Sequence, residues 1–545
     1  MTTERVLSVA NLMILEYPIK PVLSYRIFDT SYVIHHTLYI PAVSHEQKNI
    51  GRFISQLRKQ RGMTQTELAK ALKTSQSAVA RMERGEQNFS LDMLSKISEA
   101  LHKEIVALGT GAVNFRIHGG RKLKGSIDVR TAKNSAVGVL CASLLNKGTT
   151  TIRNVPKIEE VHRIIEVLQS IGVQVMWNDG NVIIKPPKTF ALSQLDKASA
   201  AKTRSIVMLM GSLMHHLKAF SLPYAGGCKL GTRTVRPHLF ALEEFGVSIT
   251  TKDDTYRVTV SKRHAATVVL YETGDTVTEN ALMAAAGILE ESVIKLASAN
   301  YMVQDVCFFL EKLGVKIDGI GTSTLRVRGV RNINLDVSYD LSEDPIEAMS
   351  LLTAAIVTKS SMTVKRCPID FLELEMLKLE KMGFRYKRSK PYVSKNGRTQ
   401  LVDITTYPSK LVALKEKIHS QPFPGINMDN LPFFVPIAAM AEGKTLIHDW
   451  TYENRAIYFT ELNKVGANVQ LIDVHRAYVE GPTQWHAAEH ICPPALRPGM
   501  VILLGMLAAP GVSILRNVYS INRGYEDIAN RLNKLGAKIE VLYGI

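Results

Sequence analysis

The sequence predicts an α/β protein with two similar domains of three repeated units each, preceded by a small all-α domain. Three observations predict this architecture. The chain of 545 residues is too long for one ordinary hydrophobic core. Its C-terminal four-fifths repeats one helix-ending pattern six times. The segment before the repeats, residues 46–110, consists of short apolar periods and tight turn signals that are typical of a helical bundle.

Each repeated unit is marked by a predicted helix that ends in an apolar residue and a glycine, after which a strand follows. Glycine suits the left-handed conformation that commonly closes a helix. Each unit also contains a second helix of small and apolar residues, which must be buried. The glycines are Gly172, Gly246, Gly314, Gly383, Gly466 and Gly536. The buried helices are predicted at Val137–Leu145, Ile206–Leu217, Leu282–Leu289, Met349–Val357, Phe433–Met440 and Met500–Leu507.

Residues 1–45 show no clear period, cap or repeat and stay an unassigned extension. In residues 46–110, Thr64 and Glu67 form a capping-box pattern that opens a short helix reaching Leu72. A tight turn leads to a further helix that ends near Glu83, before Gly85. Helices on either side of this pair are predicted from apolar spacing, with Ile54 and Leu57 before it and Leu94, Ile97 and Leu101 after it.

Two short helices joined by so tight a turn form a helix-turn-helix arrangement. The stretch RGMTQTELAKALKTSQSAVARMERG resembles the repressor-like Xre/Cro family, in which the second helix of the pair enters the DNA major groove. The resemblance implies that Gln76, Ser77 and Arg81 read bases and that Gln65 contacts a phosphate. The alternative is a basic bundle that serves protein contacts or dimerisation.

Composition and charge limit the kinds of partner and the cellular compartment that the sequence allows. The net charge is +17, of which residues 46–110 carry +4 and residues 111–545 carry +13, so anionic small substrates explain the excess as well as nucleic acid does. Five cysteines without a CxxC pair predict a reducing, cytoplasmic compartment and no zinc site. We also expect no signal peptide, no membrane span and no metal or cofactor.

The opening FRIHGGRKLKGSIDVRTAKNSAVGVL and the later loop LPYAGGCKLGTRTVRPH resemble the enolpyruvyl transferases, with the family's pieces in order from Phe115 to the C-terminus. The loop is typical of the branch that uses UDP-N-acetylglucosamine. The family fold, two inside-out α/β domains of three repeats, agrees with the six glycines. The resemblance implies one domain made of residues 111–131 and 336–545, and another made of residues 132–335 that carries the cysteine loop.

The resemblance also implies site residues. Phosphoenolpyruvate carries a phosphate and a carboxylate, which arginine binds well. The residues expected to bind it are Lys133, Arg204, Arg233, Arg455, Arg497 and Arg523. Cys228 takes the position of the proton donor, in a basic setting that favours a thiolate. The residues expected at the nucleotide sugar are Asn134, Gly274, Asp344 and Asn427.

Several positions depart from the family pattern on the sugar side. Asn427 stands where the family has the aspartate that acts as base, and a neutral amide cannot accept a proton usefully. Asp429, two residues on, is the alternative base. Ala495 replaces a second aspartate. Further departures are Glu159, Arg236, Pro345 and the sequence Glu272-Thr273-Gly274.

Three functions remain. The first is transfer of the enolpyruvyl group from phosphoenolpyruvate to UDP-N-acetylglucosamine, the first committed step of peptidoglycan precursor synthesis. The second is a DNA-binding regulator whose enolpyruvyl-transferase fold senses a metabolite without turnover. The third is an enolpyruvyl transferase with a different acceptor.

Overall fold

A computed structural model describes the positions 51, 54–55, 57–59, 61–86, 93, 96–97, 100–101, 113–201, 203–224 and 234–543. The predicted extension 1–45 lies outside these residues. No helix among them is long and apolar enough to cross a membrane.

The helical domain contains the predicted pair of helices, Gln65–Ala71 and Gln76–Arg84. Thr64 caps the first helix: its hydroxyl accepts the Glu67 amide and the Glu67 carboxylate accepts the Thr64 amide, so the capping box is confirmed. Gly85 ends the second helix in the left-handed conformation, as predicted. The side chains that fill the small core are Ile54, Leu57, Leu68, Ala69, Val79, Met82, Ile97 and Leu101, whereas Leu94 lies outside the described residues.

The described residues from 113 to 543 form six small sheets. Three of them draw their strands from residues 113–128 and 361–543, and three from residues 150–340. In spatial order, the strands of the first sheet are Glu489–Ile491, Gly511–Arg516, Val113–Gly119 and Ile539–Tyr543. Those of the second sheet are Arg385–Arg388, Gln400–Tyr407, Ser361–Pro368 and Lys124–Asp128, and Tyr392–Val393 also pairs with Gln400–Tyr407. Those of the third sheet are Ile418–His419, Gly443–His448, Arg476–Gly481 and Asn468–Leu471. The strands of the fourth sheet are, in spatial order, Val337–Asp340, Thr150–Arg153, Asn181–Lys185 and Gln174–Asn178. Those of the fifth sheet are Lys316–Asp318, Thr324–Arg328, Ser292–Lys295 and Thr267–Val269. Those of the sixth sheet are Ala219–Pro223, Thr255–Val260 and Val247–Lys252.

Five of the sheets share one topology: the strand at one edge pairs in parallel with its neighbour, and the remaining neighbouring strands pair antiparallel. The sixth has three antiparallel strands among the described residues. The repetition of one sheet pattern is the structural form of the repeat seen in the sequence. The strand Val337–Asp340 pairs with Thr150–Arg153, so the chain returns to the other set of sheets after residue 340, whereas the predicted boundary falls before residue 336.

The predicted buried helices are present, and four of the six begin earlier than expected, at Lys133, Asp275, Pro345 and Leu496. All thirteen residues of Pro345–Val357 are buried, as are eleven of Leu496–Ala508. The other helices of this class are Lys133–Ala142, Leu209–Leu213, Asp275–Ala285 and Phe434–Met440. The helices that end near the repeat glycines are Glu159–Ser170, Arg236–Glu243, Tyr301–Lys312, Glu373–Lys381, Ala456–Val465, which is a 3-10 helix, and Ile528–Asn533. Shorter α-helices are Lys197–Ala200 and Tyr519–Asn522, and shorter 3-10 helices are Ser143–Leu145, Leu192–Gln194, Arg204–Met208, Ile369–Phe371 and Leu431–Phe433.

The six repeat glycines all have positive φ, between 85° and 101°. Side chains other than glycine are strained in this region, so the predicted role of the glycines as helix stops is confirmed.

The helical domain packs against the first repeat of the larger part. At Gly62 an added Cβ would lie 3.3 Å from Met176 Cα and from Trp177 N, so the two backbones meet without room for a side chain. Beside it, Arg61 Nη2 lies 3.9 Å from Glu166 Oε1, and both side chains are at most 5% exposed. A buried charge of this kind needs its partner.

Candidate active site

Asp429 lies between two predicted anion-binding arginines. Its carboxylate is 3.3 Å from Arg497 Nη2 and 3.7 Å from Arg455 Nη1. Burial favours the neutral acid, but the positive charges of Arg497, Arg455 and Lys133 outweigh it and lower the pKa of Asp429. The carboxylate is therefore ionised at neutral pH and holds the two guanidinium groups together.

Arg455 is 1% exposed and is held from three sides. Its guanidinium donates to Asp449 at 2.9 Å and to the carbonyl of Met428 at 2.7 Å. The same group lies 4.0 Å from the centroid of the Tyr452 ring. These partners compensate for the water that the buried guanidinium loses, and they fix the orientation of the guanidinium plane.

Arg497 lies in the first turn of the helix Leu496–Ala508 and donates to the hydroxyl of Tyr525 at 3.0 Å. Asp344 belongs to the same surroundings: it caps the helix Pro345–Val357 by accepting the amides of Ile346 and Glu347. Burial raises the pKa of Asp344 to about 6, against the opposing charge of Arg497.

A second cluster surrounds Glu160. Its carboxylate accepts hydrogen bonds from Arg523 at 2.9 Å and from the hydroxyl of Thr203 at 2.7 Å. Burial opposes its ionisation, but the charges of Lys133 and Arg523 and these hydrogen bonds lower the pKa of Glu160. Lys133, the first residue of the helix Lys133–Ala142, thus acts electrostatically on both Glu160 and Asp429. The two clusters meet at this lysine.

The structure therefore brings together five of the predicted residues: Lys133, Asp429, Arg455, Arg497 and Arg523. Arg204 begins the 3-10 helix Arg204–Met208 and donates to the carbonyl of Thr234 at 2.7 Å. Cys228 and Arg233, two predicted catalytic residues, lie outside the described part of the chain. Cys141 and Cys307 are buried, as expected for small apolar residues, and so are Cys367 and Cys492.

The predicted sugar-side residues have identifiable contacts. Asn134 donates to the buried hydroxyl of Tyr301 at 3.1 Å, and Gly274 caps the helix Asp275–Ala285. The Asn427 side chain accepts the amide of Asp429 at 2.8 Å. Ala495 packs with Tyr452, Met428 and Tyr458 in a small apolar cluster. Where the family pattern has two aspartates, this chain thus has a turn-forming amide and an apolar contact.

In the helical domain, Gln76, Ser77 and Arg81 are exposed on the helix Gln76–Arg84. Gln65 is half-buried: its side chain accepts from Gln76 at 2.6 Å and donates to Glu83 at 2.9 Å. These bonds connect the two helices of the motif.

Sequence reasoning missed several residues of the site, namely Glu160, Thr203, Tyr301, Asp449 and Tyr525. Glu160 had only a general signal, because an acid is favoured in the first turn of a helix. The two tyrosines had none, since their apolar surroundings resemble ordinary core. Among the described residues, no group of three or more His, Cys, Asp or Glu side chains is arranged to hold a metal ion.

Comparison with known proteins places this site in a family. The sequence pattern of EPSP synthase (3-phosphoshikimate 1-carboxyvinyltransferase) matches residues 117–532, and that of a helix-turn-helix domain matches residues 54–108. Over 430 residues the chain is 32% identical to UDP-N-acetylglucosamine 1-carboxyvinyltransferase of Bradyrhizobium diazoefficiens, covering 78% of this chain and 98% of that protein. The enzyme of the same name from Treponema denticola is 31% identical over 436 residues, with 78% and 99% covered.

Solved structures share the fold. The enolpyruvyl transferase NikO from Streptomyces tendae has a TM-score of 0.68 at 23% identity, covering 80% of this chain and all of that one. EPSP synthase from Acinetobacter baumannii has a TM-score of 0.63 at 17% identity, covering 79% of this chain and all of that one. The expected fold class is thereby confirmed. The family match spans more than half of the chain, and the protein belongs to the EPSP synthase family of enolpyruvyl transferases, with a helix-turn-helix domain at its N-terminal side.

Proposed function

We propose that the protein transfers the enolpyruvyl group of phosphoenolpyruvate to the 3-hydroxyl of UDP-N-acetylglucosamine, with release of phosphate, as the first committed step of peptidoglycan precursor synthesis in the cytoplasm. The observation that carries the proposal is the convergence of Lys133, Arg455, Arg497 and Arg523 around two carboxylates. A small substrate that carries both a phosphate and a carboxylate needs such a concentration of cations. The two relatives named for this reaction support the choice of acceptor.

Two groups of cations have different parts in the proposal. Lys133 and Arg523, together with Arg233, bind the phosphate, and the free amides at the start of the helix Lys133–Ala142 favour the same anion. Arg204, Arg455 and Arg497 bind the carboxylate. Because Arg455 and Arg497 are already oriented by buried partners, they lose little freedom when the substrate binds.

The reaction balances with groups from this chain. Cys228 gives a proton to C3 of phosphoenolpyruvate while the sugar oxygen forms a bond to C2. The proton of the sugar hydroxyl passes to a base, for which Asp429 is our candidate because Asn427 cannot accept it. C3 then returns a proton to the Cys228 thiolate, the C2–O bond to phosphate breaks, and phosphate leaves with the proton that the base had taken from the sugar hydroxyl. Asn134, Gly274, Asp344 and Asn427 are the proposed contacts of the nucleotide sugar.

A different acceptor is the second candidate, and one observation favours it. Ala495 lies in an apolar cluster and the Asn427 side chain binds a backbone amide, so the acceptor side differs from the family pattern while the phosphoenolpyruvate side keeps it. For the helix-turn-helix domain we propose DNA binding through the exposed residues Gln76, Ser77 and Arg81, with Gln65 at a phosphate. A regulator without turnover remains the alternative for the whole chain.

The test is phosphate release from phosphoenolpyruvate by the full chain, with and without UDP-N-acetylglucosamine, with mass spectrometry of the sugar product. Lys133→Ala serves as the inactive control. Sugar-dependent release with an enolpyruvyl adduct supports the first function. Release only with other hydroxyl compounds would transfer support to the second candidate. Binding of phosphoenolpyruvate without any release would contradict transferase activity and favour the regulator.

A further inference from the structure

The positive charge of the larger part of the chain is unevenly distributed. Residues 381–398, here called the basic hairpin, contain seven Lys or Arg and no Asp or Glu. This one segment therefore supplies more than half of the +13 carried by residues 111–545. The seven are Lys381, Arg385, Lys387, Arg388, Lys390, Lys395 and Arg398. None of them belongs to the anion-binding cluster of the active site, so the substrate does not account for them.

Local structure presents this charge to solvent. The strands Arg385–Arg388 and Tyr392–Val393 of the basic hairpin both pair with Gln400–Tyr407, at the edge of a sheet. All seven basic residues are exposed. Lysines on an edge strand also discourage edge-to-edge pairing, which would explain one or two of them but not a segment without any acid.

Little of the charge is neutralised locally. Within the described part of the chain, only Arg398 of the seven makes an ion pair, with Glu311 at 2.8 Å. Arg385 donates to the carbonyl of Pro408 at 2.7 Å, which leaves its charge in place. The acids that flank the segment, Glu380 and Asp403, accept hydrogen bonds from the tyrosine hydroxyls of the hairpin rather than from its lysines and arginines.

The basic hairpin lies close to the helix-turn-helix domain. Lys395 lines a cavity with Asp179 and Asn181, which flank the turn between the strands Gln174–Asn178 and Asn181–Lys185. Gly62 of the helical domain packs on Met176 and Trp177, in the first of these two strands. Asn181 is the cross-strand partner of Asn178, so it lies one register position from Trp177. Lys395 of the basic hairpin and Gly62 of the helical domain thus lie beside neighbouring points of one pair of strands.

We propose that the basic hairpin is a second DNA-contacting surface, which binds the phosphate backbone of a duplex without reading its bases. A duplex presents about one negative charge per 1.7 Å of its axis, and unpaired lysines and arginines release its counterions when they bind. The exposed rings of Tyr392 and Tyr407, 38% and 39% exposed, add contact surface beside the charges. The proposal rests on the charge of this segment and on the DNA binding proposed for the helix-turn-helix domain, and it holds whether or not the enzyme uses UDP-N-acetylglucosamine.

DNA is the favoured partner because the same chain carries a helix-turn-helix domain next to this surface. An anionic membrane surface would also attract the charge, but interfacial binding usually needs several large apolar side chains. Val393, 53% exposed, is the one exposed aliphatic side chain of the hairpin, all of whose residues the structure describes. The two partners are separated by experiment.

The experiment measures the affinity of the full chain for a fluorescent 30-base-pair duplex of arbitrary sequence at several salt concentrations. The variant is Lys387→Ala, Arg388→Ala, Lys390→Ala and Lys395→Ala combined. Its control removes the same charge from exposed positions elsewhere, with Lys252→Ala, Lys295→Ala, Lys316→Ala and Arg331→Ala. Arg81→Ala, in the helix-turn-helix domain, is measured separately and in combination, so that loss of the two surfaces is distinguishable.

The hairpin variant should bind at least tenfold more weakly at low salt, and the slope of log affinity against log salt should fall by about 2 to 4, since each phosphate contact contributes about 0.9. The control should change affinity less than twofold. Equal losses in both variants, or no loss in the hairpin variant, would overturn the proposal. So would loss of binding to phosphatidylserine vesicles with DNA binding intact. The midpoint of thermal unfolding and the rate of phosphate release show whether each variant is folded. If the fourfold variant shows no cooperative thermal unfolding, the double variant K387Q with K390Q is measured instead, and it should give about half the change in slope.

Discussion

Arg523 donates a hydrogen bond of 2.9 Å to Glu160, although the two residues belong to repeats whose strands form different sets of sheets. Arg523 follows the short helix Tyr519–Asn522 near the end of the chain, and Glu160 is the second residue of the helix Glu159–Ser170 in the first repeat. Glu160 also accepts from Thr203, in the second repeat. One carboxylate therefore fixes the direction of a proposed phosphate-binding arginine across the boundary between the two sets.

Glu160→Gln should raise the KM for phosphoenolpyruvate about tenfold with kcat changed less than about threefold, because a charge-assisted hydrogen bond worth about 1.5–3 kcal/mol is weakened. Steady-state phosphate release measures both constants. The matched control is Glu291→Gln, which removes a carboxylate paired with Arg326 and Arg328 at the surface and should leave both constants unchanged. An unaltered KM in the Glu160 variant would mean that this carboxylate does not position Arg523.

Asp429→Asn should lower kcat at least 100-fold if this carboxylate accepts the sugar proton, while phosphoenolpyruvate still binds, since Arg455 retains Asp449 as a partner. Because the pKa of Asp429 is lowered, its protonation should add no acid limb to kcat between pH 5 and 7. Asp473→Asn, at a half-buried acid paired with Arg476, is the control. Wild-type turnover in the Asp429 variant would remove this residue from the reaction.

Cys228→Asp should retain some turnover and lose sensitivity to fosfomycin, an epoxide that alkylates the corresponding cysteine in the family that this loop resembles. The other four cysteines are buried, and burial raises the pKa of each thiol, that of Cys492 to about 11. They should therefore react slowly, so mass spectrometry of the treated protein should find one adduct, on the peptide that contains Cys228. Equal inhibition of wild type and variant would contradict the assignment.

The raised pKa of Asp344 predicts a pH dependence of stability. With a folded pKa of about 6 and an ordinary value of 3.8, its protonated form is favoured in the folded state. That contribution is complete below about pH 3.8 and is lost as the pH rises through about 6. Asp344→Asn keeps a capping side chain but cannot ionise, so its stability relative to wild type should rise by about 2 kcal/mol from pH 4 to pH 7.

Thermal midpoints of wild type and the Asp344 variant between pH 4 and pH 8 test this sign. Asp336→Asn, at an exposed carboxylate whose pKa the amide of Thr149 lowers, should show no such rise. A constant difference between wild type and the Asp344→Asn variant at all pH values would contradict the raised pKa of Asp344.

Arg61→Glu should loosen the helical domain from the first repeat. Burial lowers the pKa of Arg61 to about 10, against the charges of Glu166 and Glu159, and a glutamate there would add a third negative charge. The cost of an unpaired buried charge is about 3–5 kcal/mol. Hydrogen exchange should therefore rise in the strand Gln174–Asn178, with the active-site helices unchanged. Arg84→Glu, at an exposed residue paired with Glu86, is the control and should leave this strand protected.

The fold could be predicted because its signals are local. A capping box at Thr64 and glycines after six helices depend on a few neighbouring residues, and the structure contains each of them. The predicted starts of four buried helices are too late. Lys133 and Pro345, for example, are polar or helix-opening residues that apolar periodicity does not count.

The site could be predicted only in part. The arginines followed from the family resemblance, but their partners come from distant parts of the chain: Asp449 for Arg455, Tyr525 for Arg497 and Glu160 for Arg523. No spacing in the sequence connects Glu160 with Arg523. The position of Asp429 between two arginines likewise depends on how the turn at Asn427 folds.

The six glycines with positive φ also set a different kind of constraint from the core residues. What each unit requires at this point is a backbone angle, and no contact made by a side chain can replace it. A change of a core residue in one unit can be offset by its packing neighbours, whereas a side chain at any of these six positions is strained whatever surrounds it. The helix stops are therefore the positions at which the units tolerate the least variation in residue type.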